Sequence, residues 1–207
     1  MACADSKPGF YSPLLLSLDL LDSVRIESTM TLKELVDPRT IGEWQELANS
    51  RLVRILKAGR KFPALNRMGP KTAAGRPWAG EVQLVGRTVM SRLNYTYRKK
   101  KYPTDVLSFP APLPFVQQGM LGELIICLPV LKAQAKEIKN SPQCELDVLL
   151  VHGVLHLLGF DHEKGPKEAS AMARWETRLL DLVQKKTKKF QRGFGLIERS
   201  NSDKESP

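Results

Sequence analysis

The apolar residues of this chain recur with two periods, one typical of helices and one typical of strands. Apolar side chains three or four residues apart predict amphipathic helices over residues 43–58, 87–97 and 129–139. Alternating or short, wholly apolar runs predict strands over 81–86, 104–109 and 121–128. The inner stripe of the first helix consists of Trp44, Leu47, Ala48, Val53, Ile55 and Leu56.

One further helix is apolar on nearly every face. It begins at Ser141 and Pro142, a pair typical of a helix N-terminus, and Gly159 ends it. A helix that is apolar all round is buried, so we expect this helix at the centre of the fold. Gly165 and Pro166 open a last helix, whose predicted inner stripe is Met172, Trp175, Leu179 and Leu182.

The predicted elements fall into a single domain over residues 31–183. Residues 1–30 are expected to form a loosely organised N-terminal extension, and 184–207 a basic, disordered tail. Within the domain, residues 59–80 are rich in glycine, proline and basic side chains and predict an irregular basic loop. Residues 111–119 predict a second, proline-rich loop.

Composition excludes several classes of protein. With 42% hydrophobic and 26% charged residues, the chain suits a globular domain with a core. It has no apolar run near the roughly 20 residues that span a bilayer, which predicts that no membrane is involved. The apolar segment 13–21 contains Asp19 and lacks the basic start of a secretory signal. Cys3, Cys127 and Cys144 are odd in number and widely spaced, which suits a reducing compartment and predicts a cytoplasmic protein, or an organellar one if the source is eukaryotic.

The net charge of +10 indicates an anionic partner, most plausibly nucleic acid. The basic residues concentrate in three clusters, at 57–80, 98–101 and 185–192. Any one of them would be equally consistent with a solvated surface. Together they favour contact with a polyanion, without indicating sequence specificity.

All three histidines of the chain, His152, His156 and His162, lie within eleven residues. Two residues four apart lie on one face of a helix, so the first two imidazoles can share a cation. Gly159 ends the helix and lets the chain bring His162 back to the same point. Three neutral imidazoles and an open position are typical of a catalytic zinc site, although nickel, copper or iron also accept imidazole.

The residue after the first histidine argues against one kind of chemistry. Zinc peptidases with an HExxH helix carry a glutamate there as general base, and this chain has Gly153. Glu163 or Glu123 could take that role in principle, but the sequence places neither beside the metal. Asp161 is expected to be a turn residue, with a role as fourth ligand or as partner of a ligand slightly less favoured.

Two blocks of this sequence are distinctive, HGVLHLLGFDH at 152–162 and LNYTYRKKKYPTDVLSFP at 93–110. The first looks like the signature, and the second resembles the other characteristic stretch, of the YbeY family, the bacterial and organellar rRNA maturation factors and single-strand-specific endoribonucleases. LGELIIC at 121–127 and the helix with Met172 and Glu176 follow in the family's order. The resemblance extends over roughly residues 80–183.

The resemblance implies an α+β, zincin-like metal-hydrolase fold in which a small mixed sheet packs with helices and a central helix carries HxxxH. It implies one zinc ion held by His152, His156 and His162, and Arg98 as the functional arginine of the cleft. Without the resemblance, Arg98 would be one more surface cation.

The leading hypothesis is therefore a metal-dependent endoribonuclease that cuts single-stranded RNA. Its partners would be an rRNA precursor and the small ribosomal subunit, in rRNA maturation and ribosome quality control. Lys99, Lys100 and Lys101 would hold the RNA backbone beside the site. Tyr95, Tyr97 and Tyr102 could stack on bases, but packing within the protein is the favoured role for each.

Two other hypotheses remain open at this point. The chain could be a ribosome-assembly or binding factor in which the metal serves structure, or another metal-dependent hydrolase, including a peptidase. The N-terminal region, the 59–80 segment and the basic tail look longer or more irregular than in compact family members. Docking surfaces are therefore not carried over from the family.

Overall fold

The computed structural model describes residues 38–69 and 76–184, without the side chains of residues 38–40 and Met68. The predicted extension at 1–30 and the predicted tail beyond Gln184 lie outside the described residues. The described helices are α1 (Pro38–Gly59), α2 (Pro63–Met68), α3 (Arg87–Arg98), α4 (Leu113–Gln117), α5 (Leu128–Glu137), α6 (Pro142–Leu157) and α7 (Pro166–Val183). The described strands are β1 (Ala79–Val85), β2 (Val106–Pro110) and β3 (Met120–Cys127).

The three strands form one mixed sheet in the order β1-β3-β2. The central strand β3 pairs in parallel with β1 and antiparallel with β2. Every β3 residue from Leu121 to Cys127 is buried, which explains its nearly continuous apolar sequence. The predicted α+β fold with a small mixed sheet is confirmed.

Helix α6 is the central helix that the sequence predicts. The Ser141 hydroxyl accepts a hydrogen bond from the Cys144 amide at 3.1 Å and caps its first turn. From Leu146 to Leu157 every side chain except Val148 is buried. The helix contacts β2, β3, α1, α5 and α7, and this surrounding layer accounts for its apolar character on all sides.

The sheet separates two apolar clusters. Leu124 and Ile126 of β3 belong to the main core, which contains the apolar side chains of α6. Ile125 and Cys127 point to the opposite face and pack with Met90 of α3. Because successive residues of a strand alternate between its faces, Glu123 shares the α3 face with Ile125 and Cys127.

Two residues assigned to inner stripes are exposed instead. Val53 of α1 is 48% exposed, and Leu182 of α7 is 51% exposed, so both assignments are wrong. In α7 the buried side chain is Val183, which continues the stripe of Met172, Trp175 and Leu179. A spacing of 3, 4 and 4 residues follows the 3.6-residue helical repeat more closely than a spacing of 3, 4 and 3 over this length.

The structure differs from both loop predictions. Helix α2 lies within residues 59–80 and α4 lies within 111–119. In each helix a proline occupies the first turn, where its missing amide hydrogen costs no helical bond. At these two places proline therefore begins a helix and does not interrupt one. Residues 70–75 lie outside the described part of the chain.

Within the described ranges, no helix has the length and apolar character needed to cross a bilayer.

Candidate metal centre

His152 and His156 lie one turn apart on α6 and are buried, at 1% and 3% exposure. Their Nε2 atoms are 3.0 Å from each other. The helix itself sets this arrangement, because side chains four residues apart lie on the same face. The sequence spacing therefore predicted their mutual position correctly.

The turn after α6 brings the third imidazole to the same place. Gly159 has φ of +91°, a left-handed conformation that glycine adopts without strain. His162 then begins a short 3-10 turn, and its ring centroid lies 5.3 Å from that of His152 and 5.4 Å from that of His156. One nitrogen from each of the three rings lies within 4.8 Å of the others.

Asp161 is the cap of this short turn. Its Oδ1 accepts a hydrogen bond from the Glu163 amide at 3.0 Å. The favoured expectation of a turn residue agrees with this contact. The group of candidate metal-ligating side chains among the described residues contains the three histidines and not Asp161.

The electrostatics of the cluster keep the imidazoles neutral. Burial lowers the pKa of His152 and that of His156 to about 3, and the neighbouring imidazoles add to the effect. Burial also lowers the pKa of His162. Neutral imidazole is the form that binds a metal ion, so the three rings are in the binding form at physiological pH.

The cluster fits a metal ion by a second observation. The buried Nε2 of His162 has no hydrogen-bond partner among the described residues. A buried polar atom without a partner costs free energy, and a cation bound between the rings would remove that cost. The donor set of three imidazole nitrogens suits zinc, while other transition metals also accept it.

Glu176 of α7 contacts the His152 imidazole on the side away from His156. Its Oε1 lies 2.6 Å from Nδ1 of His152. A carboxylate at Nδ1 makes that nitrogen the donor and leaves Nε2, which faces His156, as the acceptor. Burial raises the pKa of Glu176 to about 7. The sequence pointed to Glu176 only through family spacing, because a contact between residues 24 apart has no local signal.

We expect Glu176→Ala to weaken metal binding about 10- to 100-fold, because the His152 ring loses the group that sets its orientation and tautomer. Glu176→Gln should lose less metal affinity, since its amide oxygen can still accept a hydrogen bond from Nδ1 of His152. Competition with a chromophoric chelator measures the affinity. Thr177→Ala is the matched control, because the Thr177 hydroxyl donates its hydrogen bond to the Ala173 carbonyl within α7 and not to the histidine cluster. Equal affinities for Glu176→Ala and the parent chain would contradict this role.

Arg98 ends α3 close to the third imidazole. Its Nη2 lies 3.3 Å from Oε1 of Glu163, the residue that follows His162, and its side chain is 9% exposed. The guanidinium is therefore mostly buried against the histidine turn, unlike an ordinary surface cation. Lys99, which follows, turns the chain with φ of +59°.

Lys99, Lys100 and Lys101 are exposed on the segment that leaves α3. The Nζ of Lys99 lies over the ring of Tyr95, and the Nζ of Lys100 lies over the ring of Tyr102. The three lysines thus follow Arg98 directly in the sequence, and their side chains are exposed to solvent.

Gly153 packs against the sheet. A Cβ atom built at Gly153 would lie 2.7 Å from Cδ2 of Leu124 and 3.0 Å from its Cδ1. Leu124 is fully buried, so it has little room to move. The position that carries the base in HExxH peptidases therefore lacks room for a glutamate in this core.

Glu123 is separated from α6 by the sheet, since it shares the α3 face of β3 with Ile125. It is 5% exposed, and neither carboxylate oxygen has a hydrogen-bond partner among the described residues. Burial and the charge of Glu81 on β1 raise the pKa of Glu123 to about 7. Of the two glutamates considered as substitute bases, Glu163 lies on the histidine turn and Glu123 does not.

We expect the contribution of Glu123 to the stability of the protein to decrease as pH rises. Its folded-state pKa of about 7 exceeds the ordinary value of 4.5, so the folded state holds the proton more tightly. The contribution of Glu123 to the free energy of unfolding then falls between pH 4.5 and 7, by an amount on the order of 3 kcal/mol, and this contribution is flat above that range.

Glu123→Gln should remove this decline and be more stable than the parent chain at pH 8. Urea unfolding at pH 5 and pH 8 measures the difference between the two proteins. The exposed residue Glu137 provides a control, Glu137→Gln, which should keep the parent's pH dependence. Parallel pH dependence in Glu123→Gln and the parent chain would contradict the argument.

Together, the mixed sheet, the central HxxxH helix and the third histidine define an α+β protein with a candidate three-histidine metal centre. The family model "Endoribonuclease YbeY" matches residues 64–184, more than half of the 207 residues. The chain belongs to the YbeY family.

Curated relatives of this family align with about half of the chain. Endoribonuclease YbeY of Legionella pneumophila strain Corby is 45% identical over 102 residues, covering 48% of this chain and 64% of the relative. Endoribonuclease YbeY of Aquifex aeolicus is 44% identical over 93 residues, covering 45% of this chain and 62% of the relative. The chain thus spans less than two thirds of the length of these relatives. A Thermotoga maritima protein solved in solution aligns with a TM-score of 0.44 and 27% identity, covering 76% of this chain and 90% of that one.

Proposed function

We propose that this chain is a metal-dependent endoribonuclease that cuts single-stranded RNA. The observation that carries the proposal is the position of Arg98, whose guanidinium is tied by Glu163 to the turn that bears His162. A metal-binding cluster and an arginine at one place are the parts that phosphodiester hydrolysis needs. The relatives' name, Endoribonuclease YbeY, supports the same reaction class.

His152, His156 and His162 would hold the metal ion, for which zinc is the leading candidate. When bound, the ion supplies Lewis-acid chemistry and lowers the pKa of a coordinated water. Glu176 keeps His152 oriented through Nδ1. The cluster lies at the end of α6 that leads into the His162 turn, and burial around His152 and His156 limits the access of bulk water.

Arg98 would stabilise the charge that develops on the phosphate. Its planar guanidinium can donate two parallel hydrogen bonds to phosphate oxygens. In the free protein Glu163 accepts one such bond. The side chain of Glu163 is 43% exposed, so an RNA phosphate can reach this ion pair from solvent. The phosphate would take the place of the Glu163 carboxylate, and the Arg98 guanidinium would keep an anionic partner.

The biological substrate under this proposal is precursor rRNA of the small ribosomal subunit, in rRNA maturation and ribosome quality control. Lys99, Lys100 and Lys101 would contact the RNA backbone, which fits the net charge of +10. The activity would be located where ribosomes are assembled, in the cytoplasm or an organelle. A peptidase is disfavoured, because Gly153 leaves no room for the glutamate base.

Cleavage of one RNA sequence in single-stranded and in fully paired form tests the proposal. We expect the metal-loaded chain to produce internal fragments from the single strand and to leave the duplex intact. Removal of the metal with a chelator should stop cleavage, and added zinc should restore it. Release of mononucleotides from an end, or equal cleavage of both forms, would contradict a single-strand-specific endonuclease.

A further inference from the structure

Two tyrosine rings beside the candidate site lie largely in solvent. Tyr95 is 50% exposed and Tyr102 is 49% exposed. Tyr97, between them in sequence, instead packs edge-on against Phe109 with ring centroids 4.8 Å apart. Internal packing, the role favoured from the sequence, therefore describes Tyr97 and not the other two rings.

The ammonium group of a lysine lies over each of the two exposed rings. The Nζ of Lys99 lies 5.9 Å from the centroid of Tyr95, and the Nζ of Lys100 lies 5.8 Å from that of Tyr102. These distances are within cation–π range. An ammonium group thus lies over one face of each ring. An exposed aromatic ring and a cation occur together twice, a combination that suits the alternation of base and phosphate along a nucleic-acid strand.

Both pairs are fixed to the end of α3 that carries Arg98. Tyr95 precedes Arg98 by three residues and lies on the same side of the helix. The buried amide Nδ2 of Asn94 donates a hydrogen bond to the Tyr102 carbonyl at 2.7 Å, which ties the following segment to the last turn. Both tyrosines are therefore attached to the C-terminal part of α3, the helix that ends at the arginine proposed to bind the scissile phosphate.

The charge around these rings favours a polyanion over a protein partner. Residues 92–104 contain no aspartate or glutamate. They contain five cations, Arg92, Arg98, Lys99, Lys100 and Lys101. Because exposed aromatic rings within a basic segment that lacks acidic residues are typical of single-stranded nucleic-acid binding, RNA is the occupant that this surface fits.

We infer that Tyr95 and Tyr102 form a stacking platform for two unpaired bases of the RNA, with Lys99 and Lys100 contacting the adjoining phosphates. This inference rests on the proposed function and adds the source of strand selectivity. Bases within a duplex are already stacked and paired, so they cannot lie on these rings. Stacking does not depend on base identity, because every base has a π face.

Binding of a short fluorescent oligouridylate, measured by anisotropy, tests the platform. We expect Tyr95→Leu and Tyr102→Leu each to weaken binding about 5- to 150-fold, the range of one base–aromatic stack. Tyr95→Phe and Tyr102→Phe are the matched controls and should bind like the parent chain, because the ring is kept. Thermal unfolding of all four variants checks that the folds are equal.

Two further measurements separate stacking from charge. An oligomer whose bases are removed should bind the parent chain weakly, and the leucine variants should bind it as well as the parent does. Lys99→Ala should reduce the salt dependence of binding by about 0.7 in slope, the value for one phosphate of a single strand, while the leucine variants should keep the parent's slope.

Unchanged oligouridylate binding by both leucine variants, or equal losses in the leucine and phenylalanine variants, would overturn the platform. A protein-docking role for these tyrosines predicts the first of these results. Failure of the proposed function is distinguishable, because binding is measured separately from cleavage. If the leucine variants lose affinity while the metal-loaded parent cuts no RNA, the platform stands and the proposed reaction does not.

Discussion

Replacing His156 by alanine is expected to abolish both metal binding and RNA cleavage. The substitution leaves two imidazoles of a three-nitrogen cluster whose donor atoms lie within 4.8 Å of one another. Loss of a direct ligand should lower metal affinity by more than the roughly 10- to 100-fold that removal of an outer partner costs. Elemental analysis of the purified protein, paired with a gel assay of RNA cleavage, measures both effects.

The control for this experiment is Cys144→Ala, a change in the first turn of the same helix, at a half-buried residue. It should retain the metal and the activity, which separates loss of the site from a general disturbance of α6. Circular dichroism should show that His156→Ala keeps its helical content. Full cleavage by a metal-free His156→Ala protein would rule out a catalytic metal at this cluster.

Replacing Arg98 by alanine is expected to lower kcat for RNA cleavage by about 10²- to 10³-fold, the usual cost of one donor to a developing charge. The metal should stay bound, because Arg98 donates its hydrogen bond to Glu163, which is not one of the three histidine ligands. Arg98→Lys should recover only part of the rate, since an ammonium group cannot form two parallel bonds to phosphate. Single-turnover cleavage and metal analysis on the same samples provide the measurement.

The Arg98 variant also separates the two classes of function that the sequence left open. A ribosome-assembly factor with a structural metal needs no transition-state donor. If Arg98→Ala folds, keeps its metal and fully supports ribosome maturation in cells, the assembly role is favoured over the nuclease. Loss of maturation together with a low cleavage rate favours the nuclease.

The local part of the site was predictable from the sequence for geometric reasons. His152 and His156 share a helix face because four residues make about one turn. Gly159 can adopt the left-handed conformation that turns the chain back after α6, and this turn predicted that His162 lies near the first two histidines. Each of these inferences depends on residues no more than ten positions apart.

Contacts between distant elements were not predictable in the same way. The contact of Glu176 with His152 depends on how α7 packs on α6, and no periodicity encodes that packing. The sequence allowed Glu123 as a substitute base, whereas strand alternation in the sheet places it on the α3 face, away from the histidines of α6. Leu182 and Val183 are both apolar, and only the packed helix shows which one is buried.

The central claim, a catalytic metal held by the three histidines, is tested most directly by titrating Zn²⁺ into the metal-free chain while following cleavage of single-stranded RNA. The account predicts that bound zinc and the cleavage rate rise together and reach a plateau at one ion per chain. Cleavage at full rate before any zinc is added would contradict it.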